Sequence, residues 1–90
     1  MRGESPRSVM RVRLLFFGLY REFAGTGELE VEVRPGATVA SVVRELRGRG
    51  GGFARLPEAP VVAVNHAYAG PDVELANGDE VAILPPVAGG

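Results

Sequence analysis

The sequence contains no cysteine, no lysine and no tryptophan, and it has a single histidine. Without cysteine, the chain can form no disulfide, thiolate zinc site or iron–sulfur ligation, and it has no cysteine nucleophile. All ten basic residues are arginines, so the N-terminus is the only amine that can form an amide with another carboxylate. Self-conjugation through lysine is therefore excluded.

Long apolar runs and a strong net charge are also missing. No apolar run approaches the roughly 20 residues that span a bilayer, and the first residues lack the apolar core of a signal peptide. A net charge of −1 without a basic stripe argues against nucleic acid or a membrane as a partner. We therefore expect a cytoplasmic protein whose 90 residues form one small domain with a single core.

Hydrophobic periodicity predicts one clear strand and one clear helix. Glutamates alternate with Leu29, Val31 and Val33 over Glu28–Val33, which is typical of a half-buried strand. Thr38 is a candidate N-cap for a helix whose apolar side chains recur at i, i+3, i+4 and i+7. These apolar residues are Val39, Val42, Val43 and Leu46.

The other predicted elements are shorter. They are a strand over Arg11–Phe17, a turn of helix over Leu19–Ala24, strands over Val61–Asn65, Tyr68–Val73 and Glu80–Leu84, a turn at Asn65–His66 and a hairpin turn at Asn77–Gly78. Glycines at 48 and 50–52 end the long helix, and their context does not favour a phosphate-binding loop. This order predicts an α+β domain of β-grasp type, in which a mixed sheet packs on one main helix and the first and last strands are central neighbours.

Three segments follow from this interpretation. Residues 1–9 form a predicted disordered leader, residues 10–84 the β-grasp domain and residues 85–90 an extended tail. Met1 and Met10 are both candidate start residues.

No group of side chains predicts catalysis by this chain alone. His66 lies in a predicted turn, without a second histidine or a cysteine to share a metal or activate a nucleophile, so we expect no metal site. An acidic cluster near the last strand lacks the apolar setting that acid–base catalysis needs. Its members are Asp72, Glu74, Asp79 and Glu80.

Strand parity places apolar side chains on the sheet face that a monomer should expose to water. Phe17 falls on the same side as Arg13, and Leu84 on the same side as Glu80. If the first and last strands are neighbours, Phe17 and Leu84 lie together with Tyr68 beside them, as a partner-binding patch. The alternative is that residues 48–60, which include an apolar Phe and Leu, cover this face.

The sequence ends in Gly89–Gly90, shortly after Pro85–Pro86. Proline ends sheet pairing and favours an extended chain, so six residues of roughly 3.3 Å each can reach about 20 Å. Glycine has no Cβ to hinder attack on its carbonyl or passage through a narrow cleft. The Gly90 carboxylate is the predicted chemical site; the alternative is a disordered tail that happens to end in glycine.

From Met10 to Gly90 the sequence resembles the ubiquitin-like sulfur carriers, and among them most closely the small subunits of molybdopterin synthases. The matching segments are Val12–Gly18 with Arg21, Glu22 and Gly25, Val62–Asn65, Asn77–Val81, and the ending Pro85-Pro86-Val87-Ala88-Gly89-Gly90. Many β-grasp proteins end in Gly-Gly, whereas this whole ending together with Phe16–Phe17 is far more specific.

The resemblance implies a cycle of reactions at Gly90. A ubiquitin-activating-like adenylyltransferase would use ATP to adenylate its carboxylate, and a sulfur donor protein would convert it to a thiocarboxylate. The tail would then enter the large subunit, which supplies the catalytic groups, and would donate sulfur for the dithiolene of molybdopterin. No cofactor is expected on this chain itself.

The same resemblance implies roles for other residues. Gly89 allows passage of the tail, and the remaining positions contact the partner proteins. These contact residues are Phe17, Tyr68, Leu84, Pro85, Pro86, Val87 and Ala88.

Other functions fit the same sequence. A sulfur carrier for thiamine, tRNA thiolation or cysteine synthesis would use the same tail chemistry. A protein modifier would join Gly90 to lysines of target proteins. A plain interaction domain would leave the carboxylate unreacted.

Overall fold

A computed structural model describes residues 9–86, in which a five-stranded sheet packs against helices on one face. The elements are β1 (Met10–Phe16), α1 (Gly18–Ala24), β2 (Glu28–Val33), α2 (Val39–Gly48), a 3-10 helix (Gly51–Arg55), β3 (Val61–Val64), β4 (Ala67–Ala69) and β5 (Glu80–Leu84). The sheet order is β2-β1-β5-β3-β4, with β1 and β5 parallel and the other pairs antiparallel. The predicted β-grasp fold, with first and last strands adjacent, is confirmed.

The core lies between the sheet and α2. Thr38 and Ser41 cap α2 reciprocally, since each hydroxyl accepts a hydrogen bond from the other residue's backbone N–H, at 3.2 and 2.9 Å. All four apolar residues predicted for the helical stripe are buried. Val39, Val42 and Leu46 belong to one core cluster with the inward side chains of the central strands. Among those inward side chains, Leu14 and Ile83 are fully buried.

The short helix α1 is also confirmed. It begins directly after Phe17 and ends at Gly25, whose φ of 77° is left-handed and whose N–H donates to the carbonyl of Arg21 at 2.9 Å. Glycine adopts this conformation without the penalty that a Cβ brings. Tyr20 anchors α1 in the core.

Two details of the sequence interpretation are wrong. The strand predicted over Tyr68–Val73 is confined to Ala67–Ala69, because Gly70 and Pro71 follow and proline has no backbone N–H for a sheet ladder. Asn77–Gly78 is a turn but joins no hairpin, since β5 pairs with β1 and β3 and not with β4. Its polar groups instead bind β1: the side chain of Asn77 accepts from the N–H of Arg11 at 2.8 Å.

The 3-10 helix Gly51–Arg55 was not predicted. It places Phe53 against Phe16, with 6.1 Å between ring centroids, and it is followed by the buried Leu56. Gly52 lies so close to α1 that a Cβ at this position would overlap the carbonyl oxygen of Phe23. The segment therefore seals the helix side of the core.

The leader predicted for residues 1–9 lies outside the described residues except for Val9, which is exposed. In the part of the chain that the structure describes, neither α1 nor α2 is long and apolar enough to cross a membrane.

Candidate partner-binding site

The outer face of the sheet, which points away from α2, is divided into a charged half and an apolar half. Arg13 lies in the charged half, between Glu28 and Glu80, at 3.3 and 3.4 Å from their carboxylates. The apolar half lies toward the ends of β1 and β5. It contains Leu15, Phe17, Val61, Tyr68, Ala82 and Leu84, which we call the outer patch.

Phe17 and Leu84 lie next to each other in the outer patch. The parallel register pairs Phe16 with Ile83, so the residue after each, Phe17 and Leu84, falls on the opposite, outer face. The extended backbone of Phe17, with φ −129° and ψ 157°, continues this alternation beyond β1. Phe17 is 45% exposed, and exposed apolar surface of this kind is typical of a partner-binding site.

Tyr68 lies on the same face but not in direct contact with that pair. It faces Ala63 of β3, which in turn faces Ala82 of β5. Two alanines therefore separate Tyr68 from the centre of the patch, and the tyrosine stands 81% exposed at the sheet edge. A shallow apolar floor bounded by Phe17 and Tyr68 is suited to receive a protruding side chain of another protein.

Residues 48–60 do not cover the outer patch. Phe53 and Leu56, the two large apolar side chains of that segment, pack on the opposite side of the sheet, against the core. Among residues 9–86 the alternative that residues 48–60 cover the outer patch is therefore wrong, and partner binding by this patch stays a prediction.

The tail leaves the domain beside the outer patch. Pro85 follows β5, and its ring packs over Gly18, so that the Cβ of an alanine at position 18 would lie 3.3 Å from Cγ of Pro85. Pro86 is exposed. The predicted site residues Val87, Ala88, Gly89 and Gly90 lie outside the described residues.

The acidic cluster predicted near the last strand is divided among separate contacts. Asp79 accepts hydrogen bonds from the side chain of Asn65 at 2.8 Å and from the N–H of Ala76 at 2.7 Å. Glu80 pairs with Arg13 and lies 3.5 Å from Nε2 of His66. Within residues 9–86 no group of three or more histidine or acidic side chains could hold a metal ion. Asp79 thus stabilises the turn before β5, and Glu80 pairs with side chains of β1 and of the turn after β3.

Sequence reasoning missed a second apolar surface beside the tail. A groove runs between α1, the segment after the 3-10 helix and the two prolines; we call it the α1 groove, and its lining includes Leu19, Phe23, Arg55, Pro57, Pro85 and Pro86. Leu19 is 53% exposed, and the short predicted helical turn gave no indication of this exposure. The groove joins segments that are distant in sequence, so periodicity could not reveal it.

The chain is similar to a known protein family and to named members of it. The model of the ThiS family matches residues 14–90. The molybdopterin synthase sulfur carrier subunit of Chlamydomonas reinhardtii is 35% identical over 83 residues, which cover 90% of this chain and all of that protein.

Two solved structures are similar to this chain as well. The putative molybdopterin converting factor subunit 1 of Pyrococcus furiosus has a TM-score of 0.76 and 34% identity, covering 87% of this chain and 99% of that one. SAMP1 of Haloferax volcanii, a small archaeal modifier protein, has a TM-score of 0.76 and 30% identity, covering 89% and 99%.

Proposed function

The chain belongs to the ThiS family, and from this we propose that it is the sulfur carrier subunit of a molybdopterin synthase. One observation carries the proposal: a relative with that name aligns over its entire length with 35% identity. The family match also runs to residue 90 and so includes the Gly89–Gly90 pair. The outer patch beside Pro85 supports it, because a carrier must bind the proteins that load and unload its tail.

The proposed chemistry takes place at the carboxylate of Gly90. A carboxylate with a reference pKa of about 3.5 is ionised at neutral pH and resists nucleophilic attack. Adenylation removes this obstacle: a carboxylate oxygen attacks the α-phosphorus of ATP, and pyrophosphate leaves. Hydrosulfide-level sulfur delivered by a donor protein then attacks the acyl carbon and displaces AMP, and loss of the sulfur's proton leaves a thiocarboxylate. The glycine carbonyl has no Cβ to hinder either step.

The proposed division of labour places the catalytic groups on other proteins. The polar side chains of residues 9–86 bind one another or lie in solvent, and none is arranged with a base and an orienting group. This supports a role as carrier, with an adenylyltransferase, a sulfur donor and the synthase large subunit as partners. The large subunit would receive the tail and use its sulfur to build the dithiolene of molybdopterin.

A second candidate function is protein modification. The similarity to SAMP1 at 30% identity favours it, because a modifier would use the same adenylated Gly90. The two functions differ in the acceptor: a modifier forms an amide with a lysine of a target, whereas a carrier gives its sulfur to a small molecule.

The test is the intact mass of the chain, tagged at its N-terminus and purified gently from its own cells, together with the identity of the proteins bound to it. The proposal expects replacement of one oxygen by sulfur at Gly90 and a bound synthase large subunit. An unmodified carboxylate with higher-mass conjugates in a denaturing gel would overturn it in favour of the modifier. Sulfur at Gly90 without that large subunit would point to a carrier for another pathway.

A further inference from the structure

The α1 groove lies on the other side of Pro85 from the outer patch. Phe17 and Leu19 flank Gly18, on which Pro85 packs. Phe17 belongs to the outer patch and Leu19 to the groove, so two apolar surfaces meet where the tail begins. Their exposed fractions are similar, 45% for Phe17 and 53% for Leu19, although Phe17 directly follows β1 and Leu19 lies within α1.

A protein that holds Gly90 must come close to both surfaces. Gly90 is four residues beyond Pro86 in the sequence, and four fully extended residues span about 13 Å. The receiving cleft must therefore lie against the domain at the base of the tail. A partner that forms an interface of ordinary size there will cover the apolar surface on either side of the two prolines.

The groove has the chemical character of a site for one apolar and one acidic side chain. Arg55 is its only charged lining residue among those described, and its guanidinium carbon lies 4.7 Å from the ring centroid of Phe23. Stacking on the ring holds the guanidinium at the groove. Within residues 9–86 no carboxylate pairs with Arg55, so its forked donors are open to an acidic group from another chain.

We propose that the α1 groove is a second docking site for the protein that receives the tail, and that it takes a segment in which an apolar side chain adjoins a carboxylate. The apolar side chain packs on Leu19 and Pro57, and the carboxylate pairs with Arg55. This inference rests on the proposed function and names the synthase large subunit as the occupant. The tail is then held from both sides at its base, which reduces its freedom before Gly90 enters the cleft.

The experiment is a titration of the full chain with the large subunit of the same organism, by calorimetry, for the wild type and five variants. Leu19→Asp and Arg55→Glu alter the groove, and Phe17→Asp alters the outer patch. Val73→Asp and Arg34→Glu are matched controls: Val73 is 40% exposed, and both residues lie near the start of α2, at the far end of the sheet. Circular dichroism melting verifies that each variant is folded.

The proposal expects Leu19→Asp and Arg55→Glu each to weaken binding by about 10-fold or more, the range seen when one partner of an interface contact is lost. The two controls should change the dissociation constant by less than about 3-fold, because isolated surface charges contribute little. If Phe17→Asp weakens binding but both groove variants behave like the controls, the groove proposal is overturned while the proposed function stands.

Two other results are equally decisive. If Leu19→Asp weakens binding and Arg55→Glu does not, the occupant carries no carboxylate and the stated chemistry is wrong. If the wild type does not bind the large subunit, the proposed function fails and the groove proposal fails with it.

Discussion

Pro85 packs directly on Gly18, which is the first residue of α1 and lies two residues after the end of β1. Gly18 has a φ of +52°, and a Cβ there would lie 3.3 Å from Cγ of Pro85. The turn at the end of the first strand and the start of the tail are therefore a single packed unit. We expect this contact to set the direction in which the chain leaves the last strand.

Gly18→Ala should lower both stability and function. A side chain in the left-handed region costs about 1 kcal/mol or more, and the new methyl group must push the Pro85 ring aside. We expect the free energy of unfolding to fall by about 1–2 kcal/mol in a urea titration. Affinity for the large subunit should fall as well; a variant with lower stability and wild-type affinity would show that the Gly18–Pro85 contact does not direct the tail.

Gly52→Ala should be the most damaging single methyl addition in the described part of the chain. Its Cβ would overlap the backbone carbonyl of Phe23 and lie 2.7 Å from the carbonyl carbon, and a backbone cannot move away as a flexible side chain can. We expect a loss of about 3 kcal/mol or more, measured by urea unfolding.

The matched control is Gly48→Ala, at the last residue of α2, where no atom lies within 4 Å of the new methyl group. Alanine has the higher helix propensity, so this variant should be neutral or up to about 1 kcal/mol more stable. Equal effects of the two substitutions would contradict the close packing of the 3-10 helix on α1.

The Asn65 side chain should contribute more to the free energy of unfolding than its exposed position suggests. Asn65 has a φ of +51°, donates to Asp79 at 2.8 Å and accepts from the N–H of Glu80 at 3.0 Å. Asn65→Ala loses both bonds and retains a strained backbone, for an expected cost of about 2 kcal/mol.

Asn65→Gly separates the two contributions, because glycine relieves the backbone but makes neither hydrogen bond. It should lie between the wild type and Asn65→Ala in thermal and urea unfolding. If Asn65→Gly is no more stable than Asn65→Ala, the positive φ is not a source of strain.

The parts of the fold that could be predicted are those whose pattern is local. The alternation in Glu28–Val33 and the stripe from Val39 to Leu46 each predict one inward face, and both elements appear with those faces toward the core, although Leu29 is only half-buried. The turn at Asn65–His66 was also predicted from a local pattern, and both of its residues have positive φ. Parity along β1 and β5 was enough to place Phe17 and Leu84 together once the strands were paired.

The parts that could not be predicted depend on contacts between distant segments. Residues 51–55 have no periodicity, and their helical turn exists because Gly52 fits against Phe23 and Phe53 reaches Phe16. Asn77 carried a hairpin signal, yet its side chain binds the start of β1 instead. The α1 groove likewise needs α1, Arg55 and the two prolines in one place, which sequence spacing does not reveal.

Phe17→Asp should weaken binding to the large subunit more than Tyr68→Asp. Phe17 lies beside Leu84 at the tail base, whereas Tyr68 is at the sheet edge, beyond two alanines. We expect a loss of about 2 kcal/mol for Phe17→Asp, since buried aromatic contacts dominate interfaces, and less than about 1 kcal/mol for Tyr68→Asp. Calorimetric titration measures both, with Val73→Asp as the control; the reverse order would place the centre of the interface at the sheet edge.

Deletion of Gly90 should abolish sulfur transfer while leaving the fold and most of the binding energy intact. The residues of the outer patch all precede Pro85, so we expect affinity for the large subunit to change by less than about 3-fold, as for a residue outside the interface hot spot. Transfer should still fail, because the new terminal carboxylate stops about 3.3 Å short of its wild-type position, and misplacement by about 1 Å can already cost 100-fold in rate. Conversion of the cyclic pterin precursor, with the chain already loaded as its thiocarboxylate, measures the transfer step.

The control is a chain that starts at Met10. The family match begins at residue 14, so this truncation should transfer sulfur like the full chain. An active Gly90 deletion would show that the reacting carbonyl is not that of Gly90, even if every binding prediction above holds.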